Sequence, residues 1–108
     1  MFRVETDLDD GIMRVTDIHT GAEVGKCYIG WSPDYTIIID IRVNENARRR
    51  GVGTWICDFI QNENKKTLIL GTQSTNAGAR AFYKAVGFIE TGRVRLDPES
   101  LRLERPYQ

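Results

Sequence analysis

At 108 residues the chain is sized for one domain, 1–108, and folding removes roughly 60–70% of its extended surface from water, enough for one modest core. Lys plus Arg number 15 and Asp plus Glu number 15, so the net charge is 15 − 15 = 0 and no global basic field points to nucleic acid. The opening Met-Phe-Arg-Val-Glu-Thr-Asp has no apolar leader core, and no apolar run approaches membrane-spanning length, so a soluble, cytoplasmic protein is expected.

Phe2 to Leu8 reads as a first strand, closed by the turn signal Asp9-Asp10-Gly11. Ile12 to Ile18 alternates as a second strand. His19-Thr20-Gly21-Ala22 turns again, and Glu23 to Trp31 is a third strand in which Gly25 and Gly30 mark candidate bulges. Ser32-Pro33-Asp34 is a proline turn. Tyr35 to Val43 is a fourth strand, whose continuous Ile37-Ile38-Ile39 predicts burial on both faces. These four strands form an antiparallel meander.

A glycine-rich turn follows, and then a helix. Val52, Trp55, Ile56, Phe59 and Ile60 recur at i, i+3, i+4, i+7 and i+8, one apolar stripe that ends at Asn62 to Lys66. Thr67 to Gly71 is a short buried strand, and a strand–helix–strand unit implies a parallel pair. Asn76 is placed to cap a second helix, Ala77 to Val86, with Gly87 at its C-terminal end, where positive φ is wanted. Phe88 to Leu96 is a strand, Asp97-Pro98-Glu99 a turn, and Leu101 to Arg105 the returning arm. The order β-β-β-β-α-β-α-β-β describes an α+β mixed sheet. Cys27 and Cys57 are far apart without CxxC spacing and read as reduced, buried thiols, with neither a metal nor a disulfide implied.

The junction Val43-Asn-Glu-Asn-Ala-Arg48-Arg49-Arg50-Gly51-Val52-Gly53-Thr54 organises the rest. The first N–H groups of a helix lack intrahelical partners and carry partial positive charge. Glycines let an anion approach the backbone, and arginines fork onto phosphate oxygens. A pyrophosphate cradle answers to these features. The spacing lacks the third glycine of the dinucleotide fingerprint and the Gly-Lys-Ser/Thr of the P-loop. A plain glycine turn with a solvated basic cluster is the alternative.

Two segments together resemble the GNAT family of N-acetyltransferases. Arg48, Gly51 and Gly53 match its motif Gln/Arg-x-x-Gly-x-Gly/Ala after the fourth strand. Asn76, Ala79, Phe82, Tyr83, Gly87 and Phe88 fill every fixed position of Asn-x-x-Ala-x-x-Phe/Leu-Tyr-x-x-x-Gly-Phe. The resemblance implies acetyl-coenzyme A as co-substrate, bound between the fourth and fifth strands. Ile41, Arg42 and Val43 would offer backbone to the pantetheine arm. Arg48 and the amides of Arg49, Arg50, Gly51, Val52, Gly53 and Thr54 would hold the pyrophosphate, with Asn76 and Phe82 on the far side. Tyr83 matches the tyrosine that often protonates the leaving thiolate, a task suited to a phenol beside a basic sulfur in a dry pocket.

Two departures from the family pattern stand out. No general base is assigned: the glutamate of some protein-modifying members falls at Ile37 here, and Asp40 and Glu45 are the nearest carboxylates, Asp40 reading first as a satisfied strand residue and Glu45 as a solvated loop charge. The two helices that usually separate the first and second strands are replaced by a tight turn. The acceptor side should then be open, suiting a protein lysine, a protein N-terminus or a partner subunit as its wall.

Among the other residues, His19 reads as a solvated turn residue, and Trp31 and Trp55 as core. Tyr28 and Tyr35 could line an acceptor cleft, and Arg93, Arg95, Arg102 and Arg105 an exposed strand face. A non-catalytic coenzyme-A-binding module and, more distantly, a small nucleic-acid-binding protein using Arg48-Arg49-Arg50 are the competing functions. A homodimer through the edge beyond the first strand or the last hairpin is a further expectation.

Overall fold

The computed structural model describes residues 1–7, 11–48 and 50–107; the expected turn residues Asp9 and Asp10, the strand end Leu8 and the loop residue Arg49 lie outside them. Seven strands form one sheet: β1 Phe2–Asp7, β2 Ile12–Asp17, β3 Glu23–Trp31, β4 Tyr35–Val43, β5 Thr67–Gln73, β6 Ile89–Val94 and β7 Asp97–Arg105. Helix α1 spans Val52–Asn64 and α2 Ala77–Val86, and a single 3-10 turn covers Glu45–Ala47. The spatial order is β1-β2-β3-β4-β5-β7-β6. β1 through β4 form the expected antiparallel meander, and β4–β5 is the parallel pair.

That parallel pair is short. Tyr35, Thr36 and Ile37 pair with Thr67, Leu68 and Ile69, and no register pairs the two strands beyond them. β4 continues to Val43 and β5 to Gln73, so they part into a V. A bulge lies at the branch. Tyr28 pairs with Asp40 while the next residue, Ile29, pairs with Ile38, leaving Ile39 as the extra residue of β4. Of the two glycines marked as candidate bulges, Gly25 flanks one: Val15 pairs with Gly25 and Thr16 with Glu23, leaving Val24 as the extra residue of β3, while the irregularity near Gly30 falls on β4 instead.

The core occupies the sheet face under the helices. It joins Met13, Val15, Cys27, Ile38 and Ile41 with Val52, Ile56, Cys57 and Ile60 of α1, Leu68, Leu70 and Leu103 of the central strands, and Tyr83, Val86 and Phe88. The opposite face, carrying Tyr28, Ile37 and Ile39, is open. Ile39 is 66% exposed, against the expectation of burial on both faces: Asp7 already pairs with Ile12, and no described residue between these strands covers it. Gly11 accommodates that short connection at φ 66°, where a Cβ would stand 2.7 Å from the Ile29 carbonyl oxygen.

Asn76 caps α2, its Oδ1 accepting from the Ala79 N–H at 3.0 Å, and Gly87 closes the helix at φ 111°. α1 ends at Lys65 in the left-handed region, φ 55°. Three expectations need correction. The last hairpin turns at Arg95 and Leu96, and Pro98 lies within β7, where Asp97 already pairs with Val94. Trp31, at the end of β3, is 52% exposed and not core. Arg105 belongs to no exposed face. It donates from Nε to the Val86 carbonyl at 3.0 Å, from an Nη to Gln61 Oε1 at 2.7 Å and from the other to Asp58 at 2.6 Å, tying α1, α2 and β7 together.

Candidate active site

The V between β4 and β5 opens into a cleft of about 860 Å³. Its walls are the C-terminal end of β4, the loop into α1, and one side of α2. Ile41, Arg42, Val43, Arg48, Gly51, Val52, Gly53, Thr54 and Phe82 all line it. The sequence reading did not single out Gly78, Ala85 and Val86, which complete the α2 wall. Gly78 and Ala85 occupy variable positions of the second motif. Val86 was legible as the last residue of α2 but gave no sign that it faces a cleft.

The loop is built to leave donors free. Gly51 takes φ 75° as the N-terminal boundary of α1, a left-handed conformation that costs an L-residue roughly 1–2 kcal/mol. No side chain caps this end, and no acidic residue lies in the first turn. The first intrahelical bond is the Trp55 N–H to the Gly51 carbonyl at 2.9 Å. The N–H groups of Val52, Gly53 and Thr54 therefore have no helical acceptor, and they sit at the positive end of the helix dipole. Arg48 is exposed on the same rim and forms no ion pair with a described residue. This concentration of donors and charge suits an anion with several oxygens.

The two glycines of the loop divide the work. A Cβ on Gly51 would meet nothing within 4 Å, so its backbone faces open space. A Cβ on Gly53 would lie 2.8 Å from Phe82 Cζ and 3.2 Å from Val86 Cγ2. Gly53 thus sets how closely α1 approaches α2, and with it the width of the cleft.

Arg50 points elsewhere. Its guanidinium donates to Asp17 Oδ2 at 2.6 Å and lies 5.5 Å from the centre of the Phe2 ring, so the side chain anchors the loop to the first two strands. Asp17 is buried, and Arg50 together with the His19 N–H holds its carboxyl down at about 2. Asn76 is committed to its cap and is not part of the cleft wall.

Tyr83 stands behind Phe82, buried, with edge-on contacts to Phe82 at 5.3 Å and Phe88 at 5.7 Å. Burial pushes its pKa up, the nearby Asp40 charge adds to this, and the Ile41 N–H offsets part of it. The hydroxyl is therefore held neutral near β4, just past the bulge. Asp40 is bound to Arg42 Nε at 2.7 Å, and Glu45 sits exposed in the 3-10 turn. Both thiols are buried as expected; burial raises Cys57 to about 12 and Cys27 further still. Among the described residues no cluster could hold a metal ion, and no helix is long and apolar enough to cross a membrane.

A mixed sheet parted beside a bulged strand, with an uncapped helix N-terminus at the mouth, defines an α+β protein with a built anion cleft. The chain belongs to the acetyltransferase (GNAT) family, whose model matches residues 12–88. Its fold is similar to that of nourseothricin acetyltransferase (20% identity, TM-score 0.72, covering 99% of this chain and 84% of that one). It is similar too to a GNAT family acetyltransferase from Elizabethkingia anophelis with acetyl-CoA bound (18%, 0.70, 92% and 78%). A third similar structure is the ribosomal-protein-S18-alanine N-acetyltransferase from Escherichia coli (21%, 0.66, 90% and 68%). A search of curated proteins finds no match.

Proposed function

We propose that this chain transfers an acetyl group from acetyl-coenzyme A to the amine of a polypeptide, a lysine or an N-terminus. The observation that carries the reading is the cleft at the β4–β5 branch, where Arg48 and three α1 amides without a helical acceptor converge. Those groups fit the pyrophosphate. The apolar walls at Ile41, Val43, Phe82 and Val86 fit the pantetheine arm, and the free edge of β4 offers it backbone partners. One of the similar structures has acetyl-CoA bound.

The chemistry asked of the chain is limited. The amine lone pair attacks the thioester carbonyl carbon, the C–S bond breaks with its electron pair going to sulfur, and the sulfur takes a proton. Tyr83 is the donor in this reading: a neutral phenol of raised pKa gives its proton only to a strong base such as a desolvated thiolate. The amine loses a proton as the amide forms. Asp40, tied to Arg42, is a poor acceptor for it, so the proton leaves through water or the acceptor arrives neutral.

The open face supports a macromolecular acceptor. Ile39 lies exposed next to the branch, beside half-buried Tyr28 and Ile37, where a folded or extended polypeptide has access. One similar structure is named for modifying a protein's alanine.

The test is acetyl-CoA titration by calorimetry, then thiol release with and without a pool of amine-bearing peptides, wild type against Tyr83→Phe. Binding with peptide-dependent release that falls at least tenfold in the variant, while affinity holds, supports the reading. Binding without release for any peptide overturns transfer in favour of a coenzyme-binding module. Failure to bind overturns the cleft assignment itself.

A further inference from the structure

The outer edge of β1 carries a pattern that the acetyl-transfer reading does not use. β1 ends the sheet, pairs with β2 in unbroken register from Phe2 to Asp7, and has no bulge. Bulges and kinks usually blunt an edge against further pairing. The other end of the sheet has them: β6 shifts register twice and holds Gly92 at φ 154°. The β1 edge is left regular.

Its side chains are self-complementary. Arg3 and Glu5 share the helix-free face, both well exposed, while Phe2 and Val4 share the helix face. In an antiparallel pair, directly opposed residues lie on the same face, so only registers in which paired numbers sum to an even value preserve both faces. With a sum of 6, Arg3 opposes Arg3; with a sum of 10, Glu5 opposes Glu5. A sum of 8 sets Val4 against Val4 and gives two Arg3–Glu5 pairs, one on each side of the axis. The charges therefore select one register out of the three.

The helix face supplies apolar area along the same seam. Phe2 packs edge-on against Trp55 at 5.5 Å, and Trp55 stacks on Phe59 at 5.5 Å, all three half-buried. A two-fold axis normal to the sheet puts both α1 helices on one side and brings each copy's aromatic row toward the seam.

We propose that two copies of this chain join through their β1 edges, antiparallel about Val4, into one fourteen-stranded sheet. This is a closed, isologous contact, since the same surface serves both partners. It leaves the β4–β5 branch and the open face around Ile39 clear, because these lie across β2 and β3 from the seam, while the loop into α1 touches the seam strand through Arg50 over the Phe2 ring.

Size-exclusion chromatography with light scattering tests it on the full chain. Wild type runs at twice the chain mass. Arg3→Glu sets carboxylates against carboxylates in the selected register and halves the mass; adding Glu5→Arg to it restores complementarity and the dimer. Because Glu5 also opposes Arg14 of β2, hydrogen exchange gives an independent reading: the outward amides of β1 exchange slowly in wild type and at least tenfold faster in Arg3→Glu. A monomeric wild type overturns the proposal. So does an Arg3→Glu variant that keeps both its dimer mass and its slow β1 exchange.

Discussion

Replacing Gly53 by Ala tests whether helix spacing, and not anion approach, explains that glycine. The added methyl would sit 2.8 Å from Phe82 Cζ, 3.2 Å from Phe82 Cε1 and 3.2 Å from Val86 Cγ2, against an ordinary contact of 3.4 Å or more. The ring must retreat by about 0.6 Å or the helices must separate. Overpacking of this kind costs about 1–3 kcal/mol, while Gly to Ala inside a helix returns about 0.5–1 kcal/mol. The net is a destabilisation of about 1 kcal/mol, or a fall of roughly 4–6 °C in melting temperature for a chain this size. Gly78 is the internal control. It is the second residue of α2, where a Cβ would meet only Asn76 Oδ1 at 3.9 Å, so Gly78→Ala should stabilise by up to about 0.5–1 kcal/mol. Paired thermal melts measure both, and Phe82→Leu in the Gly53→Ala background should recover part of the loss, since the two positions are in contact. If Gly53→Ala melts at or above wild type while Gly78→Ala does not exceed it, the spacing argument fails.

Two more predictions concern the groups that lock the loop and the helices. Asp17 has its carboxyl held at about 2 in the folded chain against an ordinary 3.8, so its pairing with Arg50 contributes fully above pH 4 and is lost as pH falls toward 2. Acid titration followed by circular dichroism should show Asp17→Asn less stable than wild type at neutral pH, with the gap closing between pH 4 and 2. Arg105→Met should cost roughly 2–3 kcal/mol by denaturant melt, because it strands Gln61 Oε1 and the Val86 carbonyl at partly buried positions. Asp58→Asn, which weakens only the exposed end of that network, should cost well under 1 kcal/mol.

What the sequence made legible was local chemistry with a fixed geometric demand. Asn76 before a helical stripe and Gly87 after it place both ends of α2 because a cap and a left-handed residue are each needed at one position. The turn from β4 into α1 was equally readable, since Gly51 and the stripe from Val52 meet there. The errors concern what lies across the fold. Ile37-Ile38-Ile39 reads as doubly buried, yet whether its second face is covered depends on helices that another part of the chain omits. Trp31 and Arg105 are misjudged in opposite senses for the same reason. A tryptophan at a strand end stays half in solvent, and an arginine at a strand end meets Gln61 from 44 residues away. In the cleft, the three-arginine run conveys charge but not direction. Only the fold shows that Arg50 turns back to Asp17 while Arg48 stays on the rim.

The branch at β4 and β5 also bears on how the chain reaches its native state. Every strand on one side of it lies in residues 2–43 and every strand on the other in 67–105, and only three paired positions join the two sets. Within the first set, neighbours in the sheet are also neighbours in sequence and assemble at little loop-closure cost, whereas β5 reaches β7 only across α2 and β6, from Leu68 to Arg105 and from Gln73 to Ser100. The union of the two sets runs through α1 as its covalent bridge, with the Arg105 network as its clasp. The cleft is the gap left where that union stops short.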